Sequence, residues 1–131
     1  MKIFDETSNI ITCAEDVDRY FRHVIPVDIN TQECVVILYL DTKNNIIAHH
    51  VNSIGAINYS LVDLRILFSV GLQCLATNII CIHNHPSGNL NPSDADLNLF
   101  KRIKEFGDMI SMQCLDFLIV NNKGSYSCHL N

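Results

Sequence analysis

An apolar run, Asn78-Ile79-Ile80-Cys81-Ile82, leads straight into His83-Asn84-His85-Pro86-Ser87-Gly88, and this junction constrains the fold more than any other stretch. The run has the length and β-branched content of a buried strand. Residues two apart on a strand share a face, so His83 and His85 bring their imidazoles to one side. Proline has no N–H for a ladder and Ser-Gly favours a turn, so the strand must end there. A loop runs to Ser93, after which Leu99, Phe100, Ile103 and Phe106 recur at helical spacing as a predicted buried stripe. The segment reads as strand, loop and helix, with Asp96 in the helix's first turn able to face back towards the two histidines.

Two imidazole nitrogens and one carboxylate oxygen form a three-ligand set that leaves a fourth zinc position open, the arrangement of a catalytic rather than a structural site. Ser93 and Asp96 also fit an ordinary helix start, with Ser93 as N-cap and Asp96 three residues on. An isolated His-x-His is a weak signal. The combination is stronger, because buried imidazoles need partners and a carboxylate beside them is costly without a cation.

The pattern His83-x-His85, seven residues, Ser93, two residues, Asp96 resembles the signature of the JAMM, or MPN-plus, metalloproteases. His-Asn-His-Pro-Ser-Gly followed by Pro92-Ser93-Asp94-Ala95-Asp96 is similar to the RadC branch of that family. Glu33 ahead of an apolar strand ending in Leu40-Asp41 resembles the family's glutamate strand. Gly55-Ala56-Ile57-Asn58, with Asp63-Leu64-Arg65, resembles its glycine and arginine segment. The chain departs from the family where Phe117 follows Leu115-Asp116 in place of histidine, and where it closes on Ser127-Cys128-His129. The helical N-terminal module of full-length RadC proteins has no counterpart of similar length ahead of Glu33.

The resemblance implies a zinc-dependent hydrolase acting on a peptide or isopeptide carbonyl. It makes His83, His85 and Asp96 the metal ligands, Glu33 the general base and Ser93 the residue that helps stabilise the tetrahedral intermediate. It further implies a cytidine-deaminase-like α/β sandwich, with substrate selectivity in loops such as 53–59 and 87–92. Two other readings stand beside it: a RadC-type DNA-repair accessory or nuclease, and a catalytically silent metal-binding interaction module. Nucleotide deaminase chemistry lacks its His-x-Glu and Pro-Cys-x-x-Cys here, and the His-Glu-x-x-His helix of other metalloproteases is missing too.

Composition narrows the partners. A net charge of −5 gives no overall basic surface to displace counterions from phosphates, so nucleic acid is disfavoured by charge and admitted only by family. Lys101-Arg102-Ile103-Lys104 reads as a solvated helix face. Hydrophobic content of 48% with 18% charged residues describes a globular chain, apolar enough for homo-oligomers to be expected. No run has the length of a membrane span and Met1–Glu6 is no signal peptide, so a cytoplasmic location is expected. Six cysteines without a Cys-x-x-Cys pair are expected to be mostly buried free thiols. Asp116, a carboxylate in an apolar strand, is a candidate partner for a ligand histidine.

Along the chain, Thr12-Cys13-Ala14-Glu15 matches a capping box opening a helix that Pro26 stops. Strands are predicted over 33–41 and 46–51 as a hairpin, with Ser53-Ile54-Gly55 breaking the second. A helix follows over 63–75 with Leu64, Leu67, Phe68 and Leu72 in register, then the strand and helix of the motif, the latter closed by Gly107 as a C′ residue. Cys114–Val120 and a short strand around Tyr126 complete the order α-β-β-α-β-α-β-β. A single domain spanning 1–131, a mixed β-sheet with helices packed on its faces, is the expected α/β fold.

Overall fold

In a computed structural model describing residues 9–54 and 62–128, eight elements follow the expected order. They are α1 (Ala14–Val24), β1 (Cys34–Leu40), β2 (Ile46–Ile54), α2 (Leu64–Gln73), β3 (Asn78–Asn84), α3 (Asp94–Met109), β4 (Gln113–Val120) and β5 (Ser125–Ser127). The strands form one mixed sheet in the order β2-β1-β3-β4-β5. Only β3 and β4 run parallel, as they must when α3 makes the crossover between them. The middle strands β1 and β3 are buried along nearly their whole length, which explains their continuous apolar runs.

Alternation divides the core into two layers. Val35, Ile37, Tyr39, Ile79, Cys81, Phe117 and Ile119 pack with Leu67 and Phe68 of α2 and Leu99 and Ile103 of α3. Val36, Leu38, Leu40, Ile80, Ile82, Leu118 and Val120 pack with Val17, Tyr20 and Phe21 of α1 on the other face. The sheet is therefore covered on both sides, the expected α/β arrangement of sheet and helices.

Several local expectations are corrected. The N-cap position of α1 is Cys13, without a side-chain bond. Asp16 does the capping instead of Glu15, accepting from the Thr12 N–H at 2.8 Å and the Thr12 hydroxyl at 2.7 Å. β2 continues through Ile54, because a bulge opposite Val35 and Val36 absorbs the break in pattern. Gly107 does not end α3. It lies buried inside the helix, where an added Cβ would sit 2.2 Å from the Met112 carbonyl oxygen. The buried face of α3 is accordingly Leu99, Ile103 and Gly107, with Phe106 exposed and edge-on to Phe68 at 4.8 Å. Leu72 likewise faces outward, and Gly71 takes its place against the core. Of the six free cysteines, Cys34, Cys81 and Cys114 are buried, Cys74 and Cys128 are partly buried and Cys13 is exposed.

Candidate metal centre

The C-terminal end of β3 and the start of α3 meet over the face of the sheet that carries α2 and α3. His83 is the penultimate residue of β3 and lies on that face with Cys81 and Ile79. His85 falls just past the strand, yet its N–H still bonds the Val120 carbonyl of β4 at 2.8 Å, which keeps the chain extended for one more step. The two rings consequently sit edge to face, 4.7 Å between centroids. Beyond His85 the chain turns at Gly88, whose φ of +90° favours glycine. Asn121, in the β4–β5 turn, donates its side-chain amide to the Gly88 carbonyl at 2.8 Å, and its side-chain Oδ1 accepts the Lys123 and Gly124 N–H groups.

Asp96 arrives from α3. Ser93 caps the helix by accepting the Asp96 N–H at 3.0 Å, and the Asp96 carboxylate returns to the Ser93 N–H at 2.8 Å. This closed capping box aims the fully buried carboxylate at both rings. Oδ1 is 3.1 Å from His83 Nδ1 and Oδ2 is 3.3 Å from His85 Nε2. Asp94, by contrast, is exposed. One donor atom each from His83, His85 and Asp96 lies within 4.8 Å of the others, so the cluster could hold a metal ion.

Glu33 reaches the same place from the chain just ahead of β1. It immediately precedes β1, whose antiparallel pairing sets Val35 opposite His83. Its half-buried carboxylate lies 2.9 Å from His83 Nε2. One imidazole is thus flanked by a carboxylate at each nitrogen. A neutral imidazole can donate to only one of them, leaving a lone pair facing carboxylate oxygen at the other. His85 is held above its ordinary value near 6.5 by the Asp96 carboxylate first and by the Asn89 carbonyl, against the effect of burial.

The donor set suits a cation. Zinc holds nitrogen and oxygen ligands at about 2.0–2.1 Å, which places two ligands of a tetrahedral ion roughly 3.3 Å apart. Asp96 approaches both rings, at 3.1 Å through Oδ1 and 3.3 Å through Oδ2, and one ligand atom from each of the three residues lies within 4.8 Å of the others. The site is also dry on the protein side, since His83 and Asp96 are buried, while Glu33 and His85 face its rim.

Asp116 has a different role from the one expected. A bulge between the levels of Ile79 and Ile80 sets Leu115 and Asp116 together on the α1 side of the sheet, opposite to His83. There the Asp116 carboxylate accepts from the Phe117 N–H at 2.7 Å and the Ser127 hydroxyl at 2.6 Å. His49, adjacent to His50 on β2, lies 3.0 Å from the Tyr20 hydroxyl, two strands away from His83 in the sheet order. Arg65 is exposed and pairs with Asp63 at 2.9 Å. Gly55–Asn58, Tyr59 and His129 lie outside the described residues. Asn84, expected from alternation to turn away from the metal face and tie down a loop, does so on the segment before β1. Asn121, which steadies the His85 loop through Gly88, carries no signal in the sequence beyond an amide beside a turn.

An α/β sheet with two histidines at a strand end and an aspartate on the following helix defines a JAB-type metal-site domain. The chain belongs to the RadC-like JAB domain family, whose match covers residues 11–131. It is 38% identical over 114 residues to a UPF0758 protein of Chlorobaculum tepidum, covering 87% of this chain and 50% of that protein. It is 43% identical over 96 residues to a UPF0758 protein of Streptococcus suis, covering 73% of this chain and 39% of the relative. A Finegoldia magna UPF0758 protein is 46% identical over 90 residues, covering 69% and 40%. The chain spans about half the length, or less, of the curated relatives it matches. Among the described residues, no helix is long and apolar enough to cross a membrane.

Proposed function

We propose that this domain is a zinc-dependent hydrolase of JAMM type that cleaves a peptide or isopeptide bond, with His83, His85 and Asp96 as its metal ligands. The observation that carries this reading is the approach of Glu33 to the ring of His83, 2.9 Å away, beside the three converging ligand side chains. A metal-binding module without chemistry has no use for a second carboxylate at the rim. Two nitrogens and one oxygen favour zinc over calcium or magnesium, which prefer all-oxygen shells.

When bound, zinc supplies Lewis acidity, which makes water a nucleophile at neutral pH and polarises a carbonyl. Glu33 is the general base. Its carboxylate stands at the rim, reachable by water, and takes the attacking water's proton before returning it to the departing amine. Ser93 has two uses for one hydroxyl. A lone pair accepts the Asp96 N–H, which leaves the hydroxyl proton free to donate to the oxyanion of the tetrahedral intermediate. The buried floor of His83 and Asp96 keeps bulk water from competing for these contacts.

The test is elemental analysis of the purified protein followed by a screen of peptide and isopeptide substrates. The expected result is zinc at one equivalent, lost in His85→Ala, with Glu33→Gln retaining zinc but losing about 10²–10⁴-fold in kcat. A wild type that cannot be loaded with zinc overturns the metal assignment. Equal turnover by wild type and Glu33→Gln overturns the role of Glu33.

A further inference from the structure

We infer that Asn84, the residue between the two motif histidines, is the positioning residue that holds Glu33 at the metal centre; the inference rests on the hydrolase reading above. Alternation turns Asn84 away from the face of His83, and its side chain is completely buried. Its three polar functions all go to the segment that leads into β1. Oδ1 accepts the Cys34 N–H at 2.8 Å, and Nδ2 donates to the Gln32 carbonyl at 2.8 Å and the Ile29 carbonyl at 3.0 Å. Two of these bonds fall on the residues immediately before and after Glu33.

The segment needs such a partner. Between α1 and β1 the chain folds into a tight turn on Asp28, whose carboxylate accepts the Asn30 N–H and whose carbonyl accepts the Thr31 and Gln32 N–H groups. The Ile29 and Gln32 carbonyls that flank this turn both accept from the buried Asn84 amide. The β1–β3 ladder has its last pair at Val35 and His83, so Cys34 N–H lies beyond it. Asn84 extends the ladder with its side chain. Only an amide of this length offers one acceptor and two donors there: serine has one donor, ionised aspartate none, and glutamine reaches one methylene too far. Without the clamp, the residues on either side of Glu33 lose their tie to β3 and Cys34 keeps only its pairing with Ile54 of β2, and a misplacement of about 1 Å costs on the order of 100-fold in rate.

The experiment uses Asn84→Ser and Asn84→Asp in the zinc-loaded and metal-free protein. In a double-mutant cycle, Asn84→Ser is expected to lower kcat about 10- to 100-fold with little change in KM, retain one zinc, and have no further effect when combined with Glu33→Gln. Independent, multiplicative losses would show that Asn84 does not act through Glu33. A second readout needs no turnover. In the metal-free protein, the Cys34 amide proton resonance should be protected from exchange by Asn84 Oδ1, and should lose that protection in Asn84→Ser while keeping it in Glu33→Ala. If it is unchanged in Asn84→Ser, the clamp is wrong. If the wild type hydrolyses nothing, the hydrolase reading falls and this resonance decides the clamp alone. Should the variants not fold, the wild-type Cys34 amide still discriminates: it must exchange as slowly as the interior amides of β1, and fast exchange overturns the inference.

Discussion

Asp96 serves both helix and site, and two substitutions separate these roles. Asp96→Ala removes the return bond to the Ser93 N–H and the acceptor facing both imidazoles. The Ser93 cap survives, so losing the return half of the capping box costs about 0.3–1.5 kcal/mol, and leaving buried polar groups unpaired adds about 1–3 kcal/mol. Removal of a buried carboxylate relieves part of this, so the metal-free variant should be about 1–3 kcal/mol less stable. Asp96→Asn keeps an oxygen for the Ser93 N–H and gains an amide that can donate to an imidazole lone pair, so its metal-free stability should stay within about 1 kcal/mol of wild type. Metal binding sorts the variants differently. Zinc at a hundredfold excess over its Kd stabilises the native protein by about 2.7 kcal/mol. For a domain of this size each kcal/mol is roughly 3–5 °C, so the wild-type melting temperature should rise by about 8–13 °C. Neither variant should show that rise at the same zinc concentration. Scanning calorimetry with zinc and with chelator measures all six states. The same zinc shift in Asp96→Asn as in wild type refutes the ligand assignment; Asp96→Ala melting with wild type in chelator refutes the capping argument.

Three further outcomes follow from contacts elsewhere. Gly107→Ala should destabilise by about 1–3 kcal/mol in denaturant unfolding, because the clash with the Met112 carbonyl outweighs the ~1 kcal/mol that alanine gains in a helix; stabilisation would mean that α3 and the 110–112 turn do not pack this closely. Asn121→Ala frees the Gly88 carbonyl that steadies the His85 loop and should weaken zinc binding by about 10-fold in a chelator competition, with unchanged affinity counting against that support. Asp16 is held at about 2, below its ordinary 3.8, foremost by the Thr12 hydroxyl, then by the Thr12 N–H and Arg19. A depressed carboxylate contributes stability that is whole above its unfolded value and is lost as pH falls through the folded one. The α1 cap should therefore loosen from about pH 4 to pH 2, and Asp16→Asn should remove that part of the acid dependence as read by unfolding midpoints.

The parts of the centre legible in the sequence are those fixed by local geometry. His83 and His85 are two apart on a strand, and Ser93 and Asp96 are three apart at a helix start, so spacing alone brings each pair to one side. Glu33 is different. Fifty residues separate it from His83, and only the β1–β3 register joins them. No property of Glu33 in the sequence distinguishes it from any other carboxylate before a strand, and family resemblance was the sole pointer. The errors have a common origin in signals with two physical meanings. Glycine after a helical pattern reads as a terminator, yet Gly107 is required by close packing inside the helix. Thr-x-x-Glu reads as a capping box, yet Asp16, one residue later, reaches Thr12. Phe106 and Leu72 match their helical stripes, but each helix turns its glycine inward where the sheet and the 110–112 turn come close.

The same ambiguity explains Leu115-Asp116-Phe117, the place where the chain leaves its family's pattern. Strict alternation from Cys114 would place Asp116 on the α2–α3 face with the histidines and Phe117 on the other. The bulge inserts one residue and reverses both assignments. Phe117 consequently joins Cys81 on the histidine face, where it is fully buried and packs on Phe100 of α3 at 5.8 Å. Asp116 moves to the α1 face and fastens β5 through Ser127. An aromatic ring at 117 therefore supports the helix that presents Asp96, two residues along the face from His83, and contributes through packing rather than proton transfer. A polar residue there would need its own partner within a layer formed by Cys81, Leu99, Ile103 and Ile119. Phe117 thus props α3 against the sheet, at the end of which His83, His85, Asp96 and Glu33 are gathered.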